Sequence, residues 1–363
     1  MAVSLAGCAV ALAFLFILQV PARAAPAGSP YDTVQTDGRV SAILLWGDRI
    51  YIAGNFRHVN GVPRTRLASM DAATGALRGW NPGANGAVYT LAASPDGTKI
   101  YAGGDFTSVG GVPHERLVAL DPTTGRAVAG WRAGADGTVR TIAVAGNEVY
   151  LGGAFLHVDG RARTRLALVD GIDGSLAPNW HPSANNTVRK LTVSIDGTRI
   201  YAGGYFTAVS GQSRRYLATL SPALGTLLSW RPAIMRPVID LVESGGYVFT
   251  AEGGTGGGAA SAYDTTTGSV LWSRHADGDC QAVTVFDDEV FVGGHYDHFG
   301  GLLRRKFAAI DPVRGAVDPG WAPKADAGVW ELTPDFLRGR LYAGGDFTSI
   351  GGQPQQGFAS FSN

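Results

Sequence analysis

Six short apolar segments of this chain begin with Val or Cys and continue with one or two residues that differ from copy to copy. The variable positions carry guanidinium, ammonium, carboxylate, amide and aromatic groups, which can bind a polar molecule. They are Tyr89, Arg140, Arg189, Lys190, Asp240, Gln281, Trp330 and Glu331. Because the flanking positions are regular and these are not, we expect the eight side chains to form one ligand-binding surface.

Strand geometry predicts how these side chains are directed. Successive residues of a strand point to opposite faces, so about half should face a central channel and the others a neighbouring unit. If they pair with one another instead, they form a plug. A second set stands three residues before a later strand and is expected to pair with acidic turns rather than with a ligand. It comprises Arg64, His114, Arg163, Arg214 and Arg304.

Two carboxylates of the first set, Asp240 and Glu331, leave catalysis open as a second interpretation. A hydrolase or lyase acting on an extracellular polymer would need two carboxyl groups about 5–10 Å apart. The sequence contains no H-E-x-x-H, G-x-S-x-G or C-x-x-C motif and no phosphate loop. We therefore expect binding without catalysis, and no cofactor.

Metal binding has two weak candidates. His295-Tyr296-Asp297-His298 is the densest run of ligand-type residues, and Asp277 with Asp279 could hold calcium. Both segments fall where the other copies have ordinary loops or turns, so we expect no metal site. Cys280 stands where other copies have Val, which favours a buried apolar role.

The elements that must position these residues are repeats of about fifty residues. Each carries a motif of the type I-Y-x-G-G-x-F, a later apolar run, a T-G turn and a Trp. The motif occurs at Ile50–Phe56, Ile100–Phe106, Val149–Phe155, Ile200–Phe206, Val290–Tyr296 and Leu341–Phe347, with a degraded copy at Val248–Gly254. Alternation and hairpin turns predict four short strands in each unit. The sequence therefore predicts an all-β, seven-bladed β-propeller with four-stranded blades.

The two ends of the chain are expected to close the ring. The last unit lacks a Trp segment, whereas Pro30–Val40 precedes the first motif with the spacing of a Trp segment and an inner strand. Asp32 takes the Trp position. We expect this N-terminal strand to pair with the last blade beside Phe358–Phe361, which removes an exposed sheet edge.

The remainder of the N-terminus predicts export. Ser4–Val20 is apolar and Ala22-Arg23-Ala24 fits a cleavage site, so residues 1–24 are predicted to be a signal peptide, with an uncleaved anchor as the alternative. Residues 25–29 form a short linker and 30–363 the propeller. We expect a secreted or cell-envelope protein with no membrane span in the mature chain.

The repeat resembles a known type. The segment from Ile100 to Gly111 followed by R-L-V-A-L-D-P-T-T-G is similar to the delta-60 β-propeller repeat of exported bacterial proteins. It also resembles the repeats of fungal cortical cell-polarity marker proteins. Ala262–Trp272 matches the docking motif of pyrroloquinoline quinone enzymes, but only one mature Cys and seven units are present, so this motif is expected to join blades.

The predicted function is recognition of a polar extracellular ligand, either a glycan, a peptide or a protein, by a monomeric binding or scaffold module. A quinoprotein-like oxidoreductase is the third and weakest interpretation. The formal net charge of zero gives no reason to expect nucleic acid as a partner.

Overall fold

The computed structural model describes residues 34–362, and these form antiparallel β-strands without a helix. The expected signal peptide, the linker and Asp32 lie outside the described residues. Within the described part of the chain, nothing helical has the length and apolar character needed to cross a bilayer. This all-β architecture is consistent with the β-propeller predicted from the repeats.

The first unit shows the common pattern. Its sheet has the order β1-β2-β5, and a small hairpin of β3 and β4 stands between the second and third sheet strands. The bounds are Val40–Trp46 for β1, Arg49–Gly54 for β2, His58–Val59 for β3, Val62–Pro63 for β4 and Leu67–Asp71 for β5. Gly and Asn at the turns supply the positive φ that tight connections need, as at Gly47 and Asn60.

Five further units repeat this order, and the fifth unit differs because it has no small hairpin. The second unit contains β6 (Val88–Ala93), β7 (Ile100–Gly104), β8 (Ser108–Val109), β9 (Val112–Pro113) and β10 (Leu117–Leu120). The third contains β11 (Val139–Ala145), β12 (Glu148–Gly153), β13 (His157–Val158), β14 (Arg161–Ala162) and β15 (Leu166–Asp170). The fourth contains β16 (Val188–Val193), β17 (Ile200–Gly204), β18 (Ala208–Val209), β19 (Gln212–Ser213) and β20 (Leu217–Leu220).

The remaining strands complete the seven sheets of three or four strands and the six small hairpins of the described residues. The fifth unit contains β21 (Val238–Ser244), β22 (Tyr247–Glu252), β23 (Ala259–Asp264) and β24 (Val270–His275). The sixth contains β25 (Cys280–Phe286), β26 (Glu289–Gly294), β27 (His298–Phe299), β28 (Leu302–Leu303) and β29 (Phe307–Ile310). The seventh contains β30 (Val329–Asp335), β31 (Arg340–Gly345), β32 (Ser349–Ile350), β33 (Gln353–Pro354) and β34 (Phe358–Ser362).

The expected fourth strand is regular only in the fifth unit, where β24 pairs with β23 along its length. In five other units a single bridge stands in its place, as between Met70 and Leu77. Four of these five units carry an arginine of the second set, and the second unit has the same bridge with His114 at that position. In four of these units the Arg donates from Nη2 to a carbonyl of the fourth segment, as Arg64 does to Arg78 at 2.9 Å and Arg163 to Ala177 at 2.9 Å.

These arginines therefore add a side-chain hydrogen bond to a segment whose backbone also bonds to the third strand, as Arg78 N–H does to the Ser69 carbonyl at 2.8 Å. The expectation that they pair with acidic turns is wrong for Arg64, Arg163, Arg214 and Arg304. The fifth unit has lost the loop that carries the Arg, and it alone has a regular fourth strand.

The tryptophans join neighbouring units, as expected of packing residues. All six repeat tryptophans are at most 6% exposed. Trp80 Nε1 donates to the carbonyl of Asp121 at 2.9 Å, and Trp272 Nε1 donates to that of Pro312 at 2.8 Å, each in the next unit. The apolar clusters of the core likewise combine residues of adjacent units. Burial therefore occurs between units rather than within them.

Removal of a repeat tryptophan should destabilise the packing between two units. We expect Trp131→Ala to lower the free energy of unfolding by about 3–5 kcal/mol, because a large cavity opens between two units. Urea unfolding measures this loss.

The two tryptophans Trp80 and Trp131 differ in one hydrogen bond. Trp131 Nε1 has no hydrogen-bond partner in the described structure, whereas Trp80 Nε1 donates to a carbonyl of the next unit. Trp80→Phe should therefore cost about 1 kcal/mol more than Trp131→Phe in urea unfolding. Equal losses for the two Phe variants would show that the Trp80 bond contributes nothing.

Candidate functional site

The start of every inner strand has the same irregularity. In all seven sheets the pairing between the first and second strands shifts at the residue after the registered Val or Cys, as between Val188 and Lys190. A β-bulge of this kind places two residues opposite one, which breaks the strict alternation of side chains and redirects them. The bulged residue and its successor are both variable residues of the sequence.

These bulges line a single cavity of about 260 Å³. All eight residues expected to form the ligand surface contribute to its wall: Tyr89, Arg140, Arg189, Lys190, Asp240, Gln281, Trp330 and Glu331. Consecutive residues such as Arg189 and Lys190 both line the cavity, because the bulge breaks the alternation of side chains. Asp240 also reaches the neighbouring unit, since its Oδ2 accepts the N–H of Val283.

Lys190 and Asp240 form an ion pair inside the cavity, with 2.7 Å between Nζ and Oδ1. The Asp240 carboxylate also accepts the backbone N–H groups of Leu241 and Val283, both at 2.9 Å. Burial lowers the pKa of Lys190, but the charges of Asp240 and Glu331 outweigh this and raise it to about 12. Asp240 thus links the fifth and sixth units and neutralises the lysine.

Glu331 is the titratable group of the cavity that is most perturbed. Burial raises its pKa, the positive charge of Lys190 lowers it, and Asp240 raises it again, so that the pKa stands at about 8. Thr333 donates a hydrogen bond to Glu331 Oε1 at 3.2 Å. Burial therefore favours the protonated, neutral form of this carboxyl, and the positive charge of Lys190 opposes it.

Trp330 is held by its neighbours. Its Nε1 donates to Asp346 Oδ2 at 2.8 Å, and the guanidinium carbon of Arg39 lies 3.8 Å from the centre of its ring. Arg39 forms a two-point ion pair with the same Asp346, at 2.5 and 2.7 Å. His295 contacts the ring edge-on, with centroids 4.5 Å apart. Trp330 therefore stiffens the wall, and one face of its ring is already covered.

Tyr89 and Arg140 form a similar stacked pair on another part of the wall. The guanidinium carbon of Arg140 lies 4.1 Å from the Tyr89 ring centre. The Tyr89 hydroxyl donates to Asp105 Oδ2 at 2.6 Å. Burial and this acceptor raise the pKa of Tyr89, which keeps the phenol neutral. The stack leaves the donors of Arg140 without an ion pair in the described residues.

Arg189 and Gln281 are different, because neither side chain has a hydrogen bond or an ion pair within residues 34–362. Arg189 Nε is buried without a partner. Burial lowers the pKa of Arg189, and the neighbouring charge of Arg140 lowers it further. The cavity therefore contains polar groups already used by the protein and polar groups that are free for a ligand.

The sequence analysis missed Arg39, Asp105 and Asp346. Asp105 and Asp346 occupy the position between the two glycines and the aromatic residue of the repeat motif, where other copies have Asn, Ala, Tyr or His. That variation was a usable signal, since the position varies within an otherwise regular motif. Arg39 directly precedes the inner strand of the first unit and had no such signal.

The metal candidates do not assemble. His298 Nδ1 contacts Asp277 Oδ2 at 2.8 Å, while Asp297 pairs with Lys306 at 2.6 Å. Asp279 accepts the N–H of Gly254 at 2.8 Å. Among residues 34–362, no three His, Cys, Asp or Glu side chains form a group able to hold a metal ion.

The fifth unit contains a buried carboxyl group, since Glu252 is only 2% exposed. Its carboxyl accepts from the hydroxyls of Thr250 at 2.8 Å and Tyr263 at 3.2 Å. Burial raises the pKa of Glu252, so this group is a buried structural acid.

Comparisons with known proteins agree with the fold. Residues 48–68 match a family described as a β-propeller domain of unknown function, and residues 229–318 match one described as outer membrane protein assembly factor BamB. A search of curated proteins gave no significant match. The chain is similar to the computationally designed Ika8 protein at 13% identity, with a TM-score of 0.55, over 93% of this chain and 100% of the other. That likeness concerns the fold alone.

The buried carboxyl of Glu331 should make stability depend on pH. Its pKa is raised in the folded protein, so its contribution is fully present below its ordinary value of 4.5 and is lost as pH rises to about 8. We expect Glu331→Gln to gain stability relative to the parent chain across this window, by up to a few kcal/mol. Urea unfolding at several pH values measures the difference. A difference that is independent of pH would contradict this assignment.

Proposed function

We propose that this protein is an exported binding module whose cavity recognises a polar extracellular ligand, such as a glycan, a peptide or part of a protein. The observation that carries the proposal is that all eight unit-specific polar and aromatic side chains line one cavity. The repeat leaves these positions variable while it keeps their neighbours regular, as expected of a binding surface built on a scaffold.

We further propose a closed ring of seven blades of the delta-60 type, spanning residues 30–363, with the N-terminal segment acting as the outer strand of the last blade. Three contacts between the chain ends support closure. Thr36 N–H donates to the Gln356 carbonyl at 2.9 Å, as Ala84 N–H does to that of Thr65 at 3.1 Å one unit later. Gln355 Nε2 donates to the Val34 carbonyl at 2.6 Å. Inner strands β1 and β30 also contact each other.

Location in the cell envelope or outside the cell follows from the predicted signal peptide at 1–24. The match of residues 229–318 to a family named for an outer membrane assembly factor favours the same location. A monomer is the proposed state, since each inter-unit face finds its partner within the chain. Nucleic acid is not a proposed partner, because the formal net charge is zero.

Catalysis at this cavity is the weaker proposal. A carboxylate pair acting on a polymer would need Asp240 as one member, but its two oxygens already bind Lys190 and two backbone N–H groups. Glu331 is then left without a second free carboxylate among the described cavity residues. A binding role uses the same groups without this difficulty.

Filling the cavity tests the proposed function. Ser41 lines the cavity at the bulge position that Tyr89 and Trp330 hold in their own strands, so Ser41→Trp should occupy the space without breaking the strand. We expect the parent chain to bind one or more members of a panel of neutral and charged glycans and acidic and basic peptides, and Ser41→Trp to lose that binding. Leu337→Trp, at a turn residue that is 84% exposed and is not part of the cavity wall, is the control. Unchanged binding by Ser41→Trp would place the ligand elsewhere.

Closure of the ring is tested by a double-mutant cycle. A chain beginning at Arg39 lacks the N-terminal segment and should unfold at lower urea concentration than one beginning at Pro30. Gln355→Ala should cost about 1–3 kcal/mol in the longer chain and markedly less in the shorter one, because the bond to the Val34 carbonyl is already absent there. The same cost in both chains would contradict the proposed contact.

A further inference from the structure

The four cations of the cavity fall into two groups. Arg39 is neutralised by Asp346 and Lys190 by Asp240, both through short ion pairs. Arg140 and Arg189 have no carboxylate partner in the described residues. The free pair comes from equivalent bulges of neighbouring inner strands, β11 and β16, so the two guanidinium groups belong to adjacent parts of the wall.

Arg140 and Arg189 lack an anionic partner that would balance their charge. A partly buried guanidinium without an acceptor loses hydration that nothing in the protein replaces. The two positive charges also repel each other, which is consistent with the lowered pKa of Arg189. The negative charge of Asp240 raises the pKa of Arg189, but this carboxylate is already paired with Lys190. An anion between the two arginines would remove both penalties.

The rest of the wall indicates what kind of anion fits. A cavity of about 260 Å³ accommodates a small unit and is lined by polar groups on several sides. Gln281 offers an unused amide, which can donate to and accept from hydroxyl groups. Guanidinium groups recognise carboxylates and phosphates through paired N–H donors. These features together favour a hydroxyl-rich molecule with one oxyanion.

We infer that the cavity binds an acidic saccharide unit, with its carboxylate or phosphate oxyanion between Arg140 and Arg189 and its hydroxyls near Gln281. The inference rests on the proposed binding function and specifies its ligand class. A peptide is the less suitable occupant, because the cavity is small and the Trp330 ring, its largest aromatic surface, already has one face covered by Arg39.

Calorimetric titration with three probes of similar size tests the inference. Glucuronate and a glucose phosphate ester should bind, and glucose should bind at least about tenfold more weakly. The preference between the two acidic probes identifies which oxyanion the site takes. Equal affinity for glucose would overturn the inference while leaving a polar binding site in place. No binding of either acidic probe would also overturn it.

Two variants of equal charge change separate binding from stability. Arg189→Gln should weaken binding of the preferred acidic probe about tenfold or more, whereas Arg132→Gln, at an exposed site outside the cavity wall, should not. The melting temperature of Arg189→Gln should stay equal or rise, because an unpaired buried charge is removed. A fall in melting temperature with binding unchanged would show that Arg189 is structural.

Failure of the inference can be distinguished from failure of the proposed function. If neither acidic probe binds but Ser41→Trp abolishes binding of a neutral or peptide ligand, the cavity is a binding site but not one for an acidic saccharide. If Ser41→Trp changes no binding at all, the cavity is not the site, and both the function proposed for it and its ligand class are wrong.

Discussion

The contact on which the molecule depends is a valine packed against a glycine of the preceding unit. A Cβ on Gly103 would lie 2.6 Å from Val139 Cγ1, and one on Gly203 would lie 2.5 Å from Val238 Cγ1. No real Cβ tolerates such distances, so the first glycine of the motif permits the close approach of the next inner strand. The first glycine of one repeat motif and the valine that begins the next inner strand are therefore the two sides of one interface.

The glycine is replaced in two units, and the contact recurs at the ends of the chain. In the fifth unit Ala251 replaces it and the next inner strand begins with the smaller Cys280, whereas in the first unit Ala53 replaces it and packs in one apolar cluster with Val88. A Cβ on Gly344 would lie 2.9 Å from Val40 Cγ1, which repeats the contact between the last unit and the first. Since no unit can bury its apolar face alone, stability is a property of the succession of units.

A bulge follows the first residue of each inner strand, which is Val or, in the sixth unit, Cys280. This bulge places the variable residues of the repeat at the cavity. The first residue of the inner strand faces the preceding unit, and the bulge brings the next residue, and in most units also the one after it, to the cavity wall. The packing residues stay regular while the cavity residues are free to vary. Some of these, such as Asp240, serve as links between inner strands, so the wall of the cavity is also part of the structure.

The sequence alone determined the repeat, the all-β class and eight of the residues at the cavity, because each follows from a period or a register that needs no three-dimensional information. It did not predict the bulge at the start of each inner strand, since a bulge of one residue leaves no signature in the spacing of the motif.

Only the tertiary structure decided which cavity groups are already satisfied. Lys190 with Asp240, and Arg39 with Trp330 and Asp346, are pairs between strands far apart in the chain. No local pattern predicts such pairs, because they depend on which side chains the succession of units brings within hydrogen-bonding distance. The free state of Arg189 is decided in the same way, by the absence of a carboxylate from its described neighbours.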